Sequence, residues 1–325
     1  MRFGAAFWVN RTTWPELLDA ARAVEQAGWD SIWIDDHLLV DEGDETDSKL
    51  EGWAILAALA TTTSRARLGV LVAANTFRNP GLTAKLATTL DHLSGGRAIL
   101  GLGGGWFGRE HAAYGIDFGG GFGERLDRLD EATGLIRRLL DGERVTHSGR
   151  FYALDDALVA PRPVQARLPI LIGGSGPTKT LSTAARYADL WNGFGEPDRI
   201  TEVSAVLEAR CAEIGRPFEA IERTVTANVV IRGTGQVARR AWAATAMRHG
   251  LIGRVGPDGT ERDLTVGGSP ADVAAYLGAY AALGIAEVMI VFRAPFDRET
   301  IERIGEVRAA LGALDPPERT VTRPS

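Results

Sequence analysis

The sequence predicts a (β/α)8 barrel. Three observations carry that expectation. Short apolar segments alternate with helix-period segments from end to end, eight strand–helix pairs can be traced, and no Pro/Gly/Ser linker divides the 325 residues. An open doubly wound sheet would not need eight units.

Arg2 to Val9 reads as the first strand. Thr13 and Glu16 form a capping box for a helix whose stripe is Trp14, Leu17, Leu18, Ala21 and Val24, ended by Gly28. Ser31 to Ile34 is the second strand and Trp53 to Thr62 the second helix. Leu68 to Ala73 is the third strand, followed by a helix marked by Leu82, Leu86, Leu90 and Leu93. Ala98 to Leu102 is the fourth strand. The next helix starts near Arg125, with the stripe Leu126, Leu129, Thr133, Ile136 and Leu140. Pro169 to Ile172 is the fifth strand, with a helix from Pro177. Ala188 to Trp191 is the sixth, before a helix over 199–214, and Arg223 to Ile231 is the seventh. Ser269-Pro270-x-Asp272 caps the helix that Gly284 stops, Glu287 to Phe292 is the eighth strand, and Arg298 to Leu311 closes the barrel. Asp141 to Ala166 and Gly233 to Gly268 read as insertions. One domain is expected over residues 1–314, with a disordered tail at 315–325.

Composition excludes several function classes. A net charge of -6 argues against a nucleic-acid or anionic membrane partner. Cys211 is the only cysteine, so no disulfide framework and no cysteine-based zinc site is expected. No H-x-H or H-E-x-x-H occurs, which removes the metal-hydrolase version of a barrel. No run of about 18 apolar residues is present and the N-terminus has no signal-peptide layout, so a cytoplasmic protein acting on a small molecule is expected.

In such a barrel the chemistry sits at the C-terminal ends of the strands. That rule selects Asp35-Asp36-His37, the stretch Ala73 to Arg78, the cluster Gly103-Gly104-Gly105-Trp106, the turn Gly173-Gly174-Ser175-Gly176, Trp191-Asn192 and Arg293. Gly103-x-Gly105-x-x-Gly108 imitates a dinucleotide fingerprint, but it does not open a helix directly and follows three earlier strand–helix pairs. The bare backbone there suits a large flat ligand, and Trp106 beside it suits an aromatic one. Gly173 to Gly176 joins a strand to a helix, where free N–H groups and the helix dipole attract a phosphate. It misses the nucleophile elbow, because Pro177 stands where that motif needs glycine. His37 reads as a proton carrier bonded to Asp36 and facing the ligand, or as part of a purely structural hydrogen bond.

These residues resemble the luciferase-like monooxygenase superfamily, and within it the branch of oxidoreductases using the deazaflavin coenzyme F420. The matching blocks are Glu25-x-Ala-Gly-Trp-Asp-Ser-Ile-Trp-Ile-x-Asp-His37, Thr76-Phe-Arg-Asn-Pro80, Leu93-Ser-Gly-Gly-Arg97, Leu100 to Gly115, Glu124-Arg-Leu-Asp-Arg-Leu129, Pro161-Arg-Pro-Val-Gln165, Ile170 to Gly176, and Ala185-Arg-Tyr-Ala-Asp-Leu-Trp191. Their order and coverage carry the resemblance.

The resemblance implies a bacterial luciferase-like barrel, commonly dimeric, with helices two and three supplying an apolar face. It implies a flavin-type ring near Asp36, His37, Ala74 and Asn75, with a non-proline cis peptide at Leu71-Val72 bulging against its back face. Gly103, Gly104, Gly105 and Trp106 would border the ring or its side chain. Gly173, Gly174, Ser175 and Gly176 would take the phosphate, with Trp191 alongside. His37 would be the catalytic proton carrier, and the segment Arg254 to Asp263 a lid. The family's sugar-phosphate dehydrogenases place an acidic residue directly after the strand-four glycines, where this chain has Trp106. An FMN-dependent monooxygenase and a cofactor-free barrel binding a phosphorylated metabolite are the rival readings.

Overall fold

The computed structural model describes residues 1–252 and 263–314. β1 (Arg2–Trp8), α1 (Trp14–Gln26), β2 (Ser31–Ile34), α2 (Gly52–Thr62) and β3 (Arg67–Val70) open the chain. β4 (Ala73–Ala74), α3 (Pro80–Ser94), β5 (Ala98–Gly103), α4 (Gly108–Tyr114) and α5 (Phe122–Leu140) follow. Next come β6 (Val145–Ser148), β7 (Ala153–Ala157), β8 (Ile170–Gly173), α6 (Thr180–Tyr187), β9 (Leu190–Phe194) and α7 (Pro197–Glu213). β10 (Glu222–Ala227), β11 (Val229–Ile231), α8 (Gly235–Arg248), β12 (Val266–Gly268), α9 (Pro270–Ala282), β13 (Glu287–Arg293), α10 (Arg298–Glu302) and α11 (Ile304–Leu314) complete it.

The large sheet runs β3-β2-β1-β13-β10-β9-β8-β5-β4, and β3 also pairs with β5, so the sheet closes on itself. Its pairings are all parallel. β3 and β4 together act as one stave, which makes eight and confirms the expected barrel. Between them the Leu71-Val72 peptide is cis, where the resemblance placed it.

Alternation along the staves divides the apolar residues into two sets. Phe3, Phe7, Ile32, Ile34, Leu100, Ile172, Val288 and Ile290 face the surrounding helices in the main core. Ala6, Trp8, Trp33, Leu71, Ile99, Leu171, Leu190, Met289 and Val291 fill the interior, with Val72 against them. Large side chains there need small neighbours: a Cβ on Gly69 would strike the Trp33 ring, and one on Gly101 the carbonyl of Val70. The bottom is closed by fully buried Glu287, which accepts hydrogen bonds from Ser31 and the Trp33 indole and pairs with Arg2.

The capping boxes at Thr13–Glu16 and Ser269–Asp272 form as expected, and Gly28 ends α1 with φ of +84°. Several boundaries differ. A short helix, α4, precedes α5, because Gly108 to Tyr114 carries enough helix formers once Gly115 caps it in the left-handed region. The sixth stave is Leu190–Phe194, two residues beyond the expected start. The seventh ends at Ala227, and β11 instead pairs with β12 in a small sheet of its own. The insertion over 141–166 is the antiparallel hairpin β6/β7, while the one over 233–268 contains a full helix, α8. The leucine stripe of α3 is split: Leu90 is buried and Leu86 packs against the core, whereas Leu82 and Leu93 are exposed and Thr83, Ala84, Ala87 and Thr88 pack inward. The closing helix is two helices, α10 and α11. The tail at 315–325 and the segment Arg254 to Arg262 of the expected lid lie outside the described residues. Asp263, the last residue of that segment, accepts the Trp242 indole N–H at 2.8 Å.

Candidate active site

The upper rim is asymmetric. One side, formed by the ends of β1, β2, β10 and β13, is closed by charged side chains. The other side, at β5 and β8, is bare glycine.

His37 stands where β2 runs out. Its Nδ1 is 3.0 Å from Oε1 of Glu110 on α4, whose second oxygen accepts the Leu38 N–H at 2.8 Å. Its Nε2 lies 3.7 Å from Oδ2 of buried Asp41, an ion-pair distance. The Trp106 and Phe107 rings meet the imidazole edge-on at 5.4 and 6.0 Å. Burial alone would favour the neutral ring. The charge of Asp41 and the hydrogen bond with Glu110 outweigh it against the opposing Lys49, and the imidazole is pushed up to about 9.

The expected bond between His37 and Asp36 does not form. Neighbouring residues on an extended chain point to opposite sides, and Asp36 turns away from the mouth. It accepts two hydrogen bonds from Arg78, at 2.7 and 3.0 Å, and the Ala74 N–H at 3.1 Å, fastening β2 to β4. Burial pushes its carboxyl up to about 6 despite that guanidinium. Asp36 therefore shapes the rim from behind. Asn75 is buried too, its amide donating to the Tyr152 hydroxyl at 2.9 Å.

On the glycine side, Val72 projects from the cis peptide. A Cβ on Gly103 would come within 2.6 Å of its side chain, and one on Gly173 within 3.0 Å. Gly105 adopts φ of +72°, and a Cβ there would meet the Thr76 hydroxyl at 2.9 Å. Trp106 is the exposed ring of this wall, at 38%. In the β8 turn Gly174 has φ of +118°, and Ser175 is half-buried with no hydroxyl partner among the described residues. α6 starts at Thr180 with Lys179 as its cap, three residues later than expected, so any phosphate at Ser175 would meet the turn before the helix end. Trp191 is fully buried among core side chains; only its indole N–H reaches the turn, donating to Gly174 O at 2.8 Å. It holds the turn in place and cannot face a ligand directly.

Sequence reasoning missed Asp41 and Arg125, and it marked Glu110 only as the acid nearest the strand-four glycines. Arg125 is buried, donates from Nε to Gly105 O at 3.2 Å, lies 3.7 Å from the centre of the Phe118 ring, and has no carboxylate partner among the described residues. A buried unpaired cation beside a bare turn is a ready partner for an anion. The available signal was its place in the block Glu124 to Leu129.

On the closed side, Arg293 is bidentate to Glu42 at 2.6 and 3.0 Å and also donates to Asn228 at 2.9 Å. Lys49 pairs with Asp35, which accepts the Val9 N–H. Below, Thr226 donates to Asn192, whose amide donates to Thr224. No group of His, Cys, Asp and Glu able to hold a metal was found among the described residues.

These residues fit a flat tricyclic ring with an anionic tail. The glycines leave a wall without projecting side chains, Val72 offers one apolar contact, and Arg125 with Ser175 offers charge and a hydroxyl.

The luciferase-like monooxygenase family model matches residues 2–287. An F420-dependent glucose-6-phosphate dehydrogenase of Microbacterium testaceum (strain StLB037) is 33% identical over 241 residues, covering 71% of this chain and 70% of that protein. An F420-dependent hydroxymycolic acid dehydrogenase of Mycobacterium tuberculosis (strain ATCC 25618 / H37Rv) is 32% identical over 233 residues, covering 71% of this chain and 63% of that one. Among solved structures, an F420-dependent secondary alcohol dehydrogenase in complex with an F420–acetone adduct superposes with a TM-score of 0.81 at 20% identity, covering 95% of this chain and 98% of that one. With the closed barrel, the cis peptide and a match over most of its length, this chain belongs to the luciferase-like monooxygenase family.

Proposed function

We propose that this chain is an oxidoreductase that uses the deazaflavin coenzyme F420 and moves a hydride between it and an organic substrate, with His37 carrying the matching proton. The observation that carries this reading is the placement of His37, held by Glu110 and met edge-on by Trp106, beside the glycine wall at Gly103 to Gly105. Relatives with F420 in their names, at 32–33% identity, support the choice of coenzyme. When bound, the coenzyme supplies the carbon that accepts or gives the hydride.

The chain's own residues do the rest. Val72, Gly103, Gly104, Gly105 and Trp106 border the ring, with Leu71, Ala74 and Asn75 behind it. Gly173, Gly174, Ser175 and Gly176 receive the phosphate, Arg125 neutralises it, and Trp191 keeps the turn in shape through Gly174. Asp36 positions Ala74 through its backbone N–H. The Nε2 of His37 exchanges the proton with the substrate oxygen.

Residues 1–314 act as one domain, in the cytoplasm and as a homodimer. The groove of about 340 Å³ between α2 and α3, lined by Trp53, Ala57, Leu86 and Leu93, suits a second copy. No helix among the described residues is long and apolar enough to cross a membrane. Fluorescence titration with F420 and with FMN, each oxidised and reduced, tests the reading. Saturable F420 binding is expected; tight FMN binding without F420 binding overturns it.

A further inference from the structure

The charges of the closed side narrow the substrate, given the oxidoreductase reading above. We propose that the site takes an uncharged hydroxyl or carbonyl compound with an apolar ring-bearing body, and excludes phosphate esters of the same body.

Recognising a phosphate dianion needs a cation free to meet it. On the side where His37 stands, the cations are already committed to carboxylates of this chain, His37 itself to Glu110 at 3.0 Å and Asp41 at 3.7 Å. Arg293 is only 2% exposed and its partner Glu42 3%, with Asn228 as a third contact. Lys49 is held by Asp35, and Arg78 by Asp36 and Glu51. A phosphate would have to break a buried ion pair to gain any of them, which is among the costliest rearrangements a site can make. Arg125 has no carboxylate partner among the described residues, but it lies beside Gly105, where the coenzyme's anionic tail claims it.

The loop entering α2 adds no free cation either: its Asp47, Glu45 and Glu51 hold Arg11, Arg109 and Arg78.

What the site offers instead is apolar surface. The exposed Trp106 ring leans on Phe107 at 5.3 Å and meets His37 at 5.4 Å, with Trp8 and Val291 beneath in the barrel. A ring packed on Trp106 brings a carbinol or carbonyl carbon to the His37 imidazole that Trp106 meets edge-on. In oxidation the C–H hydride, with both electrons, passes to the oxidised coenzyme and the O–H proton to neutral His37, leaving the carbonyl. Reduction is the reverse, with protonated His37 as donor.

The test uses the full chain loaded with F420, after fluorescence quenching has shown that it binds. Failure at that first step defeats the coenzyme reading, and this inference with it. The loaded protein is then titrated with matched pairs: cyclohexanol and cyclohexyl phosphate, benzyl alcohol and benzyl phosphate, glucose and glucose 6-phosphate. Readouts are the deazaflavin fluorescence change and turnover. Cyclohexanol and benzyl alcohol are expected to bind at least about tenfold more tightly than their esters. Equal or tighter binding of the esters overturns the proposal, and so does no response to either alcohol. In Glu42→Gln, which frees Arg293, the preference is expected to move toward the esters by about tenfold. An unchanged preference in a folded Glu42→Gln protein contradicts the role given to that pair, and the wild-type comparison stands without it.

Discussion

Nδ1 of His37 and Oε1 of Glu110 lie 3.0 Å apart although 73 positions separate them in sequence. The contact joins the end of β2 to α4 and, with Asp41 3.7 Å from Nε2, holds the imidazole between two carboxylates. Glu110 is therefore a positioning residue that fixes both the orientation and the charge of the proton carrier.

Removing the carboxylate charge should lower the histidine's affinity for its proton. In Glu110→Gln the His37 imidazole is expected to titrate clearly below its native value of about 9, measured by NMR of the ring protons. The limb of the pH–rate profile assigned to His37 should move by the same amount. An unchanged titration would show that Asp41 alone sets the charge.

The same shift links folding to pH. The native pKa of about 9 lies above the unfolded value of about 6.5. Folding therefore favours the protonated ring. That contribution is complete below about pH 6.5 and is lost as pH rises through about 9. Urea unfolding of the native protein and His37→Gln should give a stability gap that narrows between about pH 6 and about pH 10. A gap that widens with pH contradicts the assignment.

The pair Arg293–Glu42 is buried, so half of it should be worse than none. Glu42→Ala is expected to cost about 3–5 kcal/mol in urea unfolding, because it strands a buried guanidinium. Replacing both residues by Leu and Met should recover most of that loss. Equal losses in the single and double variants would mean the pair matters for packing alone.

Two glycines one pleat apart should respond differently. A Cβ at Gly101 meets the backbone carbonyl of Val70, which cannot move aside. Gly101→Ala is therefore expected to destabilise by about 3 kcal/mol or more. At Gly103 the obstacle is the Val72 side chain, at 2.6 Å. Gly103→Ala should keep more of the stability and lose coenzyme affinity by displacing Val72 into the ring's space. Titration and thermal unfolding of both variants separate the two effects.

The barrel was legible because each stave and helix repeats the same pattern with caps such as Ser269–Asp272 and stops such as Gly284. The leucines of α3 marked the helix correctly, but Leu82 and Leu93 stay exposed, because periodicity shows that an apolar face exists, not what it packs against. α8 was missed because its polar residues offered no continuous stripe; only Ala238, Trp242 and Ala246 are buried along it. At the site, strand-end position found His37 and the glycines. The pairing of His37 with Asp36 failed because Arg78 and the Ala74 N–H hold Asp36, whereas Glu110 arrives at His37 from another unit. Contacts between units leave little mark in one sequence.

A crystal structure of the full chain with bound F420 tests the central claim most directly. The account predicts a tricyclic ring against Val72 and the Gly103–Gly105 wall, its phosphate at Ser175 and Arg125, and Nε2 of His37 facing the space above its reactive carbon. A ring bound elsewhere, or one whose reactive face turns away from His37, would contradict it.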